Sequence, residues 1–326
     1  MKWLALACGA RSGLAFGNER RAIQGPIRIV VPLTPGTAVD VVTRFLAPRV
    51  ASELAIPFFV ENKPGANAII GTEQVVQAPA DGRTLLMNAA NHYVNKWLVK
   101  SLSYDPVADF LPIAKTGTAY LVLVVPAASP DRTLADLIGR LKSQRADLTY
   151  SSAGNGSTTQ LCGVVFSHMV KAPLRHVAYA GAAPAITDVA GGQVDMTFAG
   201  IATALPHLKA GRVRALGVTG PKRSESLPDV PTIAEAGVPG YDVTTFMGFF
   251  ARRGTPKDAA QTLSDALLKS ASTDEFRRFC AVQGIEPDVA GLTEFGVECE
   301  AEVGRWRSIL EMAGLVTSAG DRTQTR

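Results

Sequence analysis

The chain of 326 residues is poor in the residues that would announce a chemistry. It has four cysteines, Cys8, Cys162, Cys280 and Cys299, all far apart. With no C-x-x-C pair among them, neither a zinc cluster nor a thioredoxin-type motif is available. The four histidines, His92, His168, His176 and His207, make no H-x-x-x-H or H-E-x-x-H pair, so no metal site is expected. There is no G-x-x-x-x-G-K-[ST] phosphate loop and no G-x-S-x-G elbow. Gly154-Asn-Gly156 lacks the third glycine of a dinucleotide fingerprint, because Thr159 stands there. No organic cofactor is implied. The 33 basic and 29 acidic residues are interspersed without a Lys/Arg block, which removes a nucleic-acid footprint. After the N-terminus the longest apolar run, Tyr120 to Ala128, falls far short of the about 20 residues a bilayer requires.

What remains is 47% hydrophobic and 19% charged, a composition with room for about two packed domains. The opening, MKWLALACGARSGLAFG, has one lysine, a short apolar stretch interrupted by Arg11, and small residues at Ala15 and Gly17. It reads as a weak or mis-started signal peptide, so residues 1–25 are assigned to a leader. A lipoprotein cut before Cys8 would lie too close to the start. The polar stretch Thr317 to Arg326 is expected to be a disordered tail.

Short β-rich runs alternate with helical patterns, the order that builds parallel sheets covered by helices. Strands are expected at Ile27–Pro32, Phe58–Glu61, Thr84–Met87, Leu121–Val125, Thr149–Ser151, His176–Tyr179, Met196–Ala199 and Arg214–Thr219. Val42, Phe45, Leu46 and Val50 mark a helix that Pro48 should kink or end. Thr232-Ile-Ala-Glu235 is a capping box, and Thr255-Pro256 opens a further helix. From Pro256 to Leu315 the pattern is helical throughout. Two stretches, Leu121–Val125 and Thr244–Ala251, are expected to cross between two sheet domains and form a hinge. The division that follows is 26–124 plus 247–316 for the first domain and 125–246 for the second.

Four strand-to-helix turns are built from small, uncharged residues. They are Pro35-Gly36-Thr37-Ala38 followed by Asp40; Asn88 to Asn91-His92; Ser152 with Gly154-Asn155-Gly156-Ser157-Thr158; and Tyr179-Ala180-Gly181-Ala182. Helix N-termini present unpaired N–H groups and a partial positive charge, so small residues there admit an anion. Hydrogen bonds to a charged group contribute about 1.5–3 kcal/mol each, so four or five are enough for a micromolar site without any cation. Asp40 serves either the helix dipole or an amino group of a ligand. Ordinary Gly- and Ser-rich turns would have the same composition. A triad of Ser157, His92 and Asp40 is conceivable on paper, which keeps a small-acid hydrolase as an alternative.

The chain also carries a linked set of strings: Pro26-Ile-Arg-Ile-Val-Val-Pro32, Glu61-Asn-Lys-Pro-Gly-Ala66, Tyr104-Asp-Pro-Val-Ala-Asp-Phe110, Ser152-Ala-Gly-Asn-Gly-Ser157, Ala183-Pro-Ala-Ile-Thr-Asp188, Gly191-Gly-Gln-Val-Asp195 and Leu227-Pro-Asp-Val-Pro-Thr-Ile-Ala-Glu-Ala-Gly237. In this order, over nearly the whole chain, they resemble the substrate-binding proteins of tripartite tricarboxylate transporters, the Bug family of periplasmic receptors. The resemblance implies an α/β, two-domain periplasmic binding protein of type II, a Venus flytrap with mostly parallel central sheets and a ligand cleft between the domains. It implies a monomer that captures a small organic acid, or a nicotinamide-like amide, and delivers it to membrane permease subunits. A ligand-sensing partner of a receptor kinase is the alternative role. By position, the four turns face the cleft, joined by Ala199 and Gly200. Departures from the family pattern fall at Thr37, Val39, Gln160, Ala180 and Ala199-Gly200, and they bear on the ligand rather than on the fold.

Overall fold

The computed structural model describes residues 23–143, 147–312 and 314–316. The leader up to residue 22, Cys8 and the tail from Thr317 lie outside them. In chain order the strands are β1 (Ile27–Val31), β2 (Phe58–Asn62), β3 (Thr84–Ala89), β4 (Phe110–Ala119), β5 (Leu121–Pro126), β6 (Thr149–Ser152), β7 (Arg175–Ala178), β8 (Met196–Gly200), β9 (Val213–Val218), β10 (Thr245–Arg252) and β11 (Ile285–Glu286). The helices are α1 (Ala38–Leu54), α2 (Ile69–Gln77), α3 (Asn91–Leu98), α4 (Leu134–Lys142), α5 (Thr158–Val170), α6 (Ala182–Ala190), α7 (Ile201–Lys209), α8 (Lys257–Ala271), α9 (Asp274–Gln283) and α10 (Leu292–Met312).

The strands form two sheets, one in the order β11-β4-β10-β3-β1-β2 and the other β7-β6-β8-β5-β9. The chain passes from the first to the second between β4 and β5 with only Tyr120 between them, and returns between β9 and β10. Between these strands, parallel pairing is confined to β2-β1-β3 and β7-β6-β8, while β4, β5, β9, β10 and β11 pair antiparallel with their neighbouring strands; Val218 of β9 adds one isolated parallel bridge to Thr232. The sheets are therefore mixed rather than mostly parallel. The expected crossing stretches Leu121–Val125 and Thr244–Ala251 each stay in one sheet, as β5 and β10, and the chain crosses at Tyr120 and between β9 and β10; the strands flanking these crossings lie antiparallel to their neighbours and need no crossover helix there.

The β-branched runs bounded by glycine or proline became strands within a residue or two of expectation. The strand β4 was not expected, because Pro112, Lys115 and Gly117 break its pattern. It pairs with β10 through two register shifts that set Ile113 and Thr116 outside the one-to-one ladder. Such irregularities are how a strand accommodates a proline. The short β11 likewise interrupts the helical C-terminal region. Pro48 neither ends nor displaces α1, which runs on to Leu54. The Thr232–Glu235 capping box forms reciprocally, at 3.0 Å in each direction, but over a turn rather than a regular helix. Pro256 occupies the N-cap of α8 itself.

Each sheet has apolar cores on its faces. In the first sheet, Val31, Leu85, Met87 and Phe249 pack on α1 and α8, while Leu86, Tyr93, Phe110 and Phe250 pack on the opposite side with Phe295 and Cys299 of α10. The far end of the same helix, Trp306, Ile309 and Leu310, is buried with Leu123 and Phe198 of the second sheet and Phe166 of α5. Helix α10 thus fastens both cores. Gly163 of α5 lies against the Tyr150 ring of β6, where a Cβ would sit 2.1 Å from a ring carbon. The glycine sets how close α5 comes to its sheet, and hence where the Ser152–Ser157 turn stands.

Candidate functional site

The first turn, after β1, is closed from within. Asp40 is buried, and its carboxylate accepts the Gly36 N–H (2.9 Å), the Asn62 amide (2.8 Å) and Arg44 Nε (3.0 Å). Burial alone would raise its pKa, but these three donors outweigh it and hold the carboxyl below its ordinary value. Asp40 therefore braces the turn. Around it Pro35, Gly36 and Ala38 are exposed and Thr37 is half-buried, with the Thr37 hydroxyl donated to Thr34 O.

The second turn behaves differently. Asn88 is buried at the end of β3, with its Oδ1 accepting the following Ala89 N–H at 2.9 Å. Asn91 begins α3. His92 is fully buried among Phe250, Phe110 and Tyr93, and its Nε2 bonds Pro106 O at 2.9 Å. Burial holds its pKa at about 3 despite that bond and the Asp105 charge. His92 is a neutral core residue, and its candidacy as a ligand contact falls, because α3 turns it into the first core.

In the third turn the side chains tie the loop together. Ser157 caps α5, accepting the Gln160 N–H and donating to Gly154 O at 2.6 Å. The Ala153 N–H goes to Thr159 Oγ1, and the Gly156 N–H to Gln160 Oε1 at 2.7 Å. Ser152 is buried and bonds His176 Nε2 at 2.6 Å. Asn155 alone of the loop is exposed. Gly156 has φ +76° and abuts Asn67 and Leu98 of the first unit, so a side chain there would be strained and crowded. Ser157, His92 and Asp40 are each engaged separately, and the paper triad does not assemble.

The fourth turn adjoins the third: the Tyr179 N–H donates to Ser152 O, and Tyr179 O lies 3.4 Å from the Cβ position of Gly154. The Tyr179 hydroxyl is donated to Asp188 at 2.6 Å, which faces it toward α6. Ala180, Gly181 and Ala182 lead into α6, offering backbone only. Ala199 is buried in the core beside Val122 and Ile201, so at the end of β8 only Gly200 remains as a candidate contact.

Sequence reasoning missed Asn67. Ala66, Asn67 and Ala68 all have positive φ (47°, 53° and 73°). The turn carries the Asn67 amide across to Gly156 O at 3.5 Å. The Glu61–Ala66 string was visible, but nothing in Ala-Asn-Ala signals three left-handed residues.

A cavity of about 310 Å³ lies at the crossing strands, lined in part by Lys115, Tyr120, Thr244 and Arg305. Its cations are already paired, Lys115 with Asp288 (2.8 Å) and Glu298 (2.5 Å), and Arg305 with Glu302 (2.7 Å). Among the described residues no group of acidic, histidine or cysteine side chains could hold a metal ion, and no helix is long and apolar enough to cross a membrane.

Two α/β units joined by paired crossings, with neutral turns at the strand ends, define a two-lobed solute-binding protein. The family described as "Tripartite tricarboxylate transporter family receptor" matches residues 42–315, and the chain belongs to it. BugT of Bordetella pertussis is 30% identical over 295 residues, which cover 89% of each chain. Among solved structures, Rpa4515 of R. palustris with adipate is 31% identical with a TM-score of 0.82, covering 89% of this chain and 98% of that one. MatC of Rhodopseudomonas palustris with bound malate is 27% identical with a TM-score of 0.76, covering 87% and 98%.

Proposed function

We propose that the protein is an exported, non-catalytic receptor that takes a small dicarboxylate between its two units and carries it to the permease of a tripartite transporter. The observation that carries this reading is the character of the turns: backbone amides at strand ends, with no lysine or arginine among the turn residues. A carboxylate is held there by oriented N–H dipoles, and where an amide is already paired, as at Gly36 and Gly156, its internal bond is exchanged for one to the ligand. The adipate and malate bound by two relatives supply the ligand class. The candidate contacts are Gly36, Thr37 and Ala38 on the first unit, and Asn155 to Thr158, Ala180 to Ala182 and Gly200 on the second. Release and capture follow from rotation about the two crossings, since only Tyr120 separates β4 from β5.

Thermal unfolding in the presence of adipate, malate, citrate, nicotinate and nicotinamide tests the reading. A ligand at a hundred times its Kd stabilises by about 2.7 kcal/mol. A rise in Tm confined to carboxylates supports the proposal. A rise with nicotinamide alone, or with none of them in folded, ligand-free protein, refutes it.

A further inference from the structure

Ser152, Gln160 and His176 form a chain of hydrogen bonds behind the third turn, and its polarity can be deduced. The Gly156 N–H is an obligate donor, so the atom it meets at 2.7 Å is the Gln160 carbonyl oxygen. The amide nitrogen of Gln160 then faces His176 Nδ1, at 3.3 Å, and can only donate. Nδ1 must therefore offer its lone pair, and the single proton of the neutral ring sits on Nε2. That proton is donated to Ser152 Oγ at 2.6 Å. Ser152 Oγ also accepts the Gly154 N–H at 3.1 Å, and its own proton goes to Gly154 O at 3.2 Å. The backbone of Gln160 is further clamped by the Tyr150 hydroxyl, donated to Gln160 O at 3.3 Å.

A second proton on His176 would set Nδ1–H against the Gln160 amide hydrogens. Rotating the Gln160 amide by half a turn relieves the clash and places its oxygen on the ring. The Gly156 N–H then loses its internal acceptor, and the Gln160 NH2 group comes to lie beside it. Two donors, with a positive charge behind them, replace a donor already satisfied.

We propose that His176, acting through Gln160, is a positioning residue that sets the donor polarity of the Ser152–Ser157 turn, so that protonation of its ring tightens capture of a carboxylate. The inference rests on the carboxylate reading above. The surroundings of the ring leave its charge to this relay. From β6 it meets the Tyr150 ring, with centroids 4.9 Å apart. From α5 it meets Gln160, the other titratable groups of that helix being the buried Cys162 and the exposed His168. On its own strand Arg175 is paired with Asp147 at 3.4 Å, and past the strand end Tyr179 is tied to Asp188. Among the described residues no carboxylate forms an ion pair with the ring. Burial lowers the His176 pKa from its ordinary 6.5, so the ring is neutral at pH 7 and the change occurs on the acid side.

Two measurements on the full chain test this. In ligand-free protein labelled at the histidine nitrogens, NMR should show Nε2 protonated and Nδ1 bare at pH 7.5, and the Gly156 amide should titrate with the His176 midpoint. Replacing Gln160 by Leu should abolish that Gly156 response. A ring protonated at Nδ1, or a Gly156 amide indifferent to it, overturns the relay. Adipate affinity is then compared at pH 7.5 and one unit below the His176 midpoint found by NMR, in the parent chain and in His176→Gln, the ionisation of adipate being common to both. The parent should gain affinity over the variant on acidification, by at most about three- to tenfold for roughly half to one unit of linked pKa change. Equal ratios overturn the coupling. No binding of adipate or malate by either protein, with the NMR relay intact, overturns the carboxylate reading and leaves the relay standing.

Discussion

Asn67 and Asn95 exchange hydrogen bonds: the Asn67 side-chain amide donates to Asn95 Oδ1 at 2.8 Å, and the Asn95 amide returns to Asn67 O at 2.8 Å. The pair holds the turn of three positive-φ residues, a conformation that costs alanine more than asparagine. It also sets Asn67 against the Gly156 turn of the other unit.

Asn95 is buried, so Asn95→Ala strips the Asn67 carbonyl of its partner and leaves the Asn67 amide only the longer contact with Gly156 O. The expected loss is about 1–3 kcal/mol in urea unfolding, with weaker dicarboxylate binding. An unchanged midpoint would show that the strained turn holds itself.

Gly156→Ala places a Cβ 3.0 Å from Asn67 Nδ2 at φ +76°. Binding should weaken about tenfold or more, near 1.4 kcal/mol, in a calorimetric titration. Undiminished affinity would remove this turn from the site.

Gly163→Ala drives a methyl into the Tyr150 ring. Overpacking of this kind costs about 1–3 kcal/mol, read as a lower urea midpoint. Because Tyr150 clamps Gln160, affinity should fall as well. A variant as stable as its parent would mean that α5 can move off its sheet freely.

The pKa of His92 is depressed on folding, from 6.5 to about 3, so the unfolded chain binds its proton first. For this group, stability is full above pH 6.5 and is lost progressively as pH falls from there toward 3. Urea midpoints of the parent should decline over that range, and those of His92→Phe should decline less steeply. Parallel curves would place the acid sensitivity elsewhere.

Much of this architecture was legible in the sequence, for stated reasons. Apolar runs such as Ile27–Val31 and Leu121–Val125 sit between glycine, proline and small polar residues, and both became buried strands. The strand β4 was not legible, since its proline and glycine are tolerated only through irregular pairing with a distant segment. At the site, the turns were visible as composition, but side-chain direction was not. His92 stands beside a strand end yet points into an aromatic core, and Ser157, which looks like a free hydroxyl, spends it on a cap. The partnership of Gln160 with His176 joins α5 to β7 across sixteen positions, and no local pattern encodes it.

The most direct test is an amide NMR titration of the full chain with adipate and with malate. The account predicts saturable shifts at Thr37 and Ala38 on one unit and at Gly156, Ala180 and Gly181 on the other, with a common Kd. Shifts confined to the cavity at Lys115 and Arg305, or none with either acid, would contradict it.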